Sequence, residues 1–144
     1  VIEYNVRMGD PETESVFPRL LSDVAELLRA ACTGELDKQQ LLIDPHTAAC
    51  VMMVAGGYPD HYDKGDIIYG IENVSNSLIF HAGTKRDGQG HYVTNGGRVI
   101  CVTSLAPSLP EALLESYQSA AHIQWRGKFQ RRDIGQDLLR LMVQ

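Results

Sequence analysis

The sequence predicts an α+β fold in which helices and an antiparallel sheet occupy different stretches of the chain. Three observations carry that expectation. Helix signals cluster between Asp10 and Gly34, where an Asp-Pro pair, Pro18, Ser22, Asp23 and a closing glycine punctuate apolar residues at helical spacing. From His46 the texture turns to β, with short apolar runs bounded by Gly, Asn and Pro. One more amphipathic stretch, SLPEALLESYQSAAHI, follows them. Together they imply a leading strand and helix pair, then an antiparallel sheet of about four or five strands with one covering helix.

The opening VIEYNVRM alternates: Ile2, Tyr4, Val6 and Met8 are apolar, with Glu3, Asn5 and Arg7 between them. Strict alternation is a strand with one face in a core. Asp10-Pro11 matches a helix N-cap with Pro at the first helical position, where its missing N–H costs nothing. Pro18 breaks or kinks that helix near Phe17, and Ser22 or Asp23 caps a second stretch running to about Ala31. Val24, Leu27, Leu28 and Ala31 form its apolar stripe, and Gly34 stops it. The polar, turn-rich GELDKQQLLIDP is the candidate boundary between residues 1–44 and residues 45–144.

TAACVMMVA then reads as a strand ended by Gly56-Gly57-Tyr58-Pro59, and DKGDIIYGIENV and NSLIFHAGT supply two more short strands. In HYVTNGGRVICVTSLA, Asn95-Gly96 separates two β-prone runs, which predicts a hairpin, with Gly97 adding a bulge. In the later helix Ser108 is the candidate cap, and Leu109, Leu113, Tyr117 and Ala120 make the stripe. The tail GKFQRRDIGQDLLRLMVQ is basic and then apolar.

At 144 residues and 44% apolar, the chain suits one domain with an appendage. The net charge is -5, from 18 acidic and 13 basic residues, with no Lys/Arg run to follow a phosphodiester backbone, which argues against nucleic acid as a partner. Cys32, Cys50 and Cys101 are odd in number, widely spaced and set in apolar surroundings, so they read as reduced core residues of a cytosolic protein. No apolar stretch approaches the roughly 20 residues that span a bilayer, which argues against a membrane role. The alternating pattern is already running at Val1, so the chain is expected to be the C-terminal piece of something longer.

Glu3 and Asn5, two apart on a strand, put their side chains about 6–7 Å apart on one face. That suits shared ligation of Mg²⁺, which takes hard oxygen ligands from one or two carboxylates plus substrate phosphates. Arg7 continues the face and can neutralise charge on a transferred group. The competing reading is a half-exposed strand with solvated polar residues.

EYNVRMGDPE closely resembles the corresponding stretch of the glycinamide ribonucleotide synthetases, ATP-grasp ligases of purine biosynthesis. The resemblance continues through AGGYPDHYDKGD, FHAGTK, VTNGGRVICVT and FQRRDIG, with Met8 where Phe is usual and Ala55 where Ser is usual. It implies ATP-dependent phosphorylation of glycine's carboxylate and attack of 5-phosphoribosylamine on the acyl phosphate, giving glycinamide ribonucleotide, ADP and phosphate. Glu3 and Asn5 match the family's Mg²⁺ (or Mn²⁺) ligands, and Arg7 matches an arginine near the transferred phosphoryl group. It also implies a cytoplasmic protein whose residues 1–44 end an ATP-grasp domain. Residues 45–144 would be a small β-rich C-terminal domain that packs against the preceding regions and completes the phosphoribosylamine pocket.

Asp10 then has two readings, a helix cap or a ligand for substrate amine. Gly96, Gly97 and Arg98 offer what a phosphate needs, close backbone N–H groups and a bidentate guanidinium, or else a plain hairpin turn. Thr84 and Lys85 beside a Gly turn are an anion loop or an ordinary surface turn. His81 reads as a satisfied core residue, and Arg131, Arg132 and Asp133 as a structural ion-pair cluster. With no Gly-rich phosphate loop and no adenine-binding segment, the chain alone is expected to be inactive. The alternatives are another ATP-grasp ligase of purine synthesis, against which GDPE argues, and a non-catalytic binding module, against which Glu3, Asn5 and Arg7 argue.

Overall fold

The computed structural model describes residues 6–142. In chain order its elements are α1 (Thr13–Val16), α2 (Val24–Thr33), β1 (Thr47–Val54), β2 (Leu78–His81), β3 (Thr84–Arg86), β4 (Tyr92–Thr94), β5 (Arg98–Ala106), α3 (Leu109–His122) and α4 (Gln136–Met142). Alternation in β1 buries Ala49, Val51 and Met53 and turns Ala48, Cys50 and Met52 to the other face. β5 is buried along most of its length because it is central: β1 pairs with one edge from Thr47↔Ala106 to Val54↔Arg98, and β2 with the other. Both pairings are antiparallel, in the order β1-β5-β2.

α3 covers this sheet. Ser108 caps it through a reciprocal capping box with Glu111, and Ala112, Leu113, Ser116 and Ala120 are buried. Val51, Met53, Val99, Val102, Ile123 and Trp125 pack in the main core between helix and sheet. Ser116 ties the layers together: its Oγ donates to Ala49 O at 2.7 Å and accepts from Ser104 N at 3.0 Å. The α+β class is as the sequence predicts.

Several local expectations are corrected. The Asn95-Gly96-Gly97 turn does not close a hairpin, because β4 pairs with β3 (Thr84↔Thr94) while β5 pairs with β1 and β2. Among the described residues the five strands therefore form two sheets, and the turn carries the chain from one to the other. DIIYG forms no strand: Ile67 and Tyr69 make only isolated bridges, to Val93 and Gln124. The first helix starts at Thr13 and not at Pro11, with Glu12 in the N-cap position, and Asp10 turns to Arg98 instead. The tail adds α4, a second helix after the sheet, which lies mostly exposed.

Asp23 caps α2 and Gly34 ends it in the left-handed region at φ 70°, as predicted. Its stripe is rotated, however: Ala30 is the buried residue, Val24 and Leu27 are half-buried, and Leu28 and Ala31 are exposed. Cys32 is exposed too, so it is no core residue. With Leu21, Leu36, Leu41, Leu42 and Ile43 it leaves a largely uncovered apolar surface around α2. The opening strand lies mainly outside the described residues, but residues 6–8 form no strand, and Val6 is 95% exposed. A strand needs a ladder partner, and none pairs with them among the described residues.

Candidate functional site

The site is built where three backbone segments cross. Gly83, in the turn between β2 and β3, donates its N–H to Arg98 O at 2.8 Å and accepts from Asn95 N at 2.7 Å. A Cβ on Gly83 would lie 2.6 Å from Gly96 Cα, so the two glycine turns are in direct backbone contact. Gly97 lies under the Tyr58 ring, which occupies the place of any Cβ there. The glycines thus serve a close crossing of chains, where a side chain has no room.

Arg98 projects from the start of β5 beside this crossing. Its Nε–H donates to Tyr58 Oη at 3.3 Å. Its Nη1 donates to Asp10 O at 2.7 Å and pairs with Asp10 Oδ1 at 3.2 Å. Tyr58 first, and Asp10 with it, hold the guanidinium's pKa above its ordinary value. Both partners of the ion pair are substantially exposed, so the pair orients Arg98 at little energetic gain and leaves its charge open to a ligand.

Thr84 and Lys85 lie on β3 immediately after Gly83. Thr84 Oγ1 is 3.0 Å from His81 Nδ1, while Lys85 is exposed. His81 is satisfied, as predicted, but at the surface and not in the core. Its ring stacks at 4.6 Å on Tyr92, and desolvation and then Arg86 push its pKa below the ordinary imidazole value. Arg131 and Asp133 form a two-point exposed pair at 2.9 and 2.8 Å.

The structure therefore brings Asp10, Gly96, Gly97 and Arg98 together, with Thr84 and Lys85 entering through Gly83. Arg7 is exposed, its Nη1 donating to the neighbouring Met8 O at 3.2 Å. Glu3 and Asn5 lie outside the described residues. Tyr58 is the residue that sequence reasoning passed over. Its signal is the Gly-Gly-Tyr-Pro run, which marks the end of a strand and falls within the AGGYPDHYDKGD stretch of the family resemblance. Tyr58 also lines a cavity of about 400 Å³ with Pro11, Cys50, Met52, Val54 and Phe129. Among the described residues no group of three or more His, Cys, Asp and Glu is arranged to hold a metal ion. Nor is any described helix long and apolar enough to cross a membrane.

A helix-covered antiparallel sheet with a cationic glycine crossing at one end defines an α+β domain whose class a solved structure shares. The crystal structure of phosphoribosylamine-glycine ligase from Thermotoga maritima matches with a TM-score of 0.74 and 33% identity, covering 92% of this chain and 32% of that one. The chain belongs to the family described as phosphoribosylglycinamide synthetase, C domain, whose sequence model matches residues 48–137. The phosphoribosylamine-glycine ligase of Vibrio cholerae serotype O1 is 47% identical over 137 residues, covering 94% of this chain and 32% of that protein. That of Escherichia coli O157:H7 is 45% identical over the same length. The chain spans about a third of the length of these curated relatives.

Proposed function

We propose that this chain is the C-terminal part of a cytoplasmic ATP-grasp ligase of purine biosynthesis. In this reading it joins glycine to 5-phosphoribosylamine through glycyl phosphate, giving glycinamide ribonucleotide, ADP and phosphate. The observation that carries the reading is 47% identity to a phosphoribosylamine-glycine ligase across 94% of the chain. Residues 1–44 end the ATP-grasp domain and residues 45–144 form the C-terminal domain. The uncovered apolar surface around α2 supports packing against preceding regions, since exposed apolar patches of this kind mark interfaces.

Arg98, held by Tyr58 and Asp10 beside the glycine crossing, binds the ribose 5-phosphate; Thr84 and Lys85 border it, the half-buried Gly96 gives backbone access, and Gly97, buried under Tyr58, sets the turn that seats Arg98. Asp10 meets substrate amine or orients Arg98. Arg7 neutralises charge near the transferred phosphoryl group. Glu3 and Asn5 offer one carboxylate and one amide oxygen, a hard donor set that would hold Mg²⁺ or Mn²⁺, and the ion when bound would screen phosphate charge. The ligase's nucleotide site lies largely in the part of the relatives' length that this chain does not span.

The test is a chimera in which this chain replaces the matching third of the Escherichia coli O157:H7 ligase. It should form glycinamide ribonucleotide from ATP, Mg²⁺, glycine and phosphoribosylamine, whereas the 144-residue chain alone should not. A folded but inactive chimera, or an active isolated chain, would overturn the reading. Glu3→Gln in the chimera should remove most activity; retention within about threefold, roughly 0.7 kcal/mol, would remove the metal assignment.

A further inference from the structure

Two thiols meet between β1 and β5. The register pairs Cys50 with Thr103 and Met52 with Cys101, so Cys50 and Cys101 stand diagonally on one face of the sheet. Their Sγ atoms are 2.7 Å apart, and both residues are free cysteines. That separation is within about 0.7 Å of a covalent S–S bond, so closing it asks for a small side-chain adjustment and no change of register.

The two thiols differ in access. Cys50 is half-buried on the wall of the cavity shared with Tyr58 and Phe129, whereas Cys101 is fully buried on the central strand. Cys32 stands exposed on α2 and serves as an internal reference for ordinary surface thiol chemistry.

We propose that Cys50 and Cys101 form a reversible intramolecular disulfide when the protein meets a peroxide, Cys50 attacking first and Cys101 resolving. The Cys50 thiolate attacks one peroxide oxygen, the O–O bond breaks, and the departing hydroxide takes up a proton and leaves as water. The Cys101 sulfur then attacks the Cys50 sulfenic acid, the S–O bond breaks, and a second water leaves with the Cys101 proton. Two thiols lose two electrons and two protons; the peroxide accepts them. The hydrogen bond from Cys101 lowers the Cys50 pKa, while Cys50 and burial raise that of Cys101, in keeping with this order of attack. The proposal stands apart from the ligase reading and uses none of its ligands.

The test treats the chain with hydrogen peroxide, alkylates remaining thiols with iodoacetamide, and maps peptides by mass spectrometry without reductant. A linked Cys50–Cys101 peptide, lighter by two hydrogens than its parts and split again by dithiothreitol, is expected. In Cys101→Ser, dimedone should trap Cys50 as sulfenic acid. Cys50→Ser, at a half-buried position, should lose the linkage and leave Cys101 a thiol. It keeps the test open if the buried variant fails to fold. Absence of the linked peptide at a dose that oxidises Cys32 would overturn the proposal. So would a dimedone adduct on Cys101 in Cys50→Ser.

Discussion

Gly83→Ala should destabilise the protein although residue 83 lies in a turn and an alanine adds only a methyl group. The new Cβ would stand 2.5 Å from Arg98 O, 2.6 Å from Gly96 Cα and 2.8 Å from Gly96 N, all backbone atoms that have no rotamer to change. Relief requires the two turns to separate, which strains the bonds from Gly83 N to Arg98 O at 2.8 Å and from Asn95 N to Gly83 O at 2.7 Å. Overpacking costs about 1–3 kcal/mol, while the stiffer unfolded chain of an alanine returns about 0.4–1 kcal/mol. The net loss is about 1–2 kcal/mol. With a urea slope of about 2 kcal/mol/M, the unfolding midpoint should fall by roughly 0.5–1 M. Gly88→Ala is the matched control: nothing lies within 4 Å of its Cβ position, so it should be neutral or slightly stabilising. Urea denaturation followed by circular dichroism reads both variants. If Gly83→Ala fell within about 0.5 kcal/mol of Gly88→Ala, the close crossing that seats Arg98 would be refuted.

Ser116→Ala should cost about 1–3 kcal/mol in the same assay, because it leaves Ser104 N–H and Ala49 O without their buried partner; a loss under about 0.5 kcal/mol would deny the tie between α3 and the sheet. The Asp44 carboxylate accepts from His46 N at 2.8 Å and lies 2.7 Å from its Nδ1, and these contacts hold its pKa below the ordinary value. Its contribution is therefore present above the unfolded pKa and lost as pH falls through the folded one. Asp44→Asn should flatten that acid limb, and a midpoint-versus-pH profile unchanged by the substitution would show that the carboxylate does not contribute. In the chimeric ligase, Arg98→Ala should lower kcat/KM for phosphoribosylamine about 10- to 150-fold, from about 1.5–3 kcal/mol of charge-assisted bonding, and spare ATP and glycine. Arg98→Lys should restore part of it, whereas equal loss for all three substrates would mark a structural role.

Features governed by neighbours in the chain were readable in the sequence. The caps at Ser108 and Asp23, the stop at Gly34 and the place of β1 each depend on a few consecutive residues, and each stands where the pattern put it. The chemistry of the Arg98 turn was also visible as a set of residue types. What those residues touch was decided by the tertiary structure. Strand partners are chosen over long separations, so Asn95-Gly96-Gly97, a hairpin by every local sign, became a crossing between two sheets once β4 paired with β3 and β5 took the central place. Asp10 and Arg98 meet across 88 residues, and nothing in Asp-Pro distinguishes a cap from that partner. Tyr58 gained its place by lying over Gly97, and Cys50 met Cys101 through the β1–β5 register. Local preferences of a few tenths to about 1 kcal/mol set where elements begin and end, but burying a central strand is worth several times more, and it determines which faces and turns become a site.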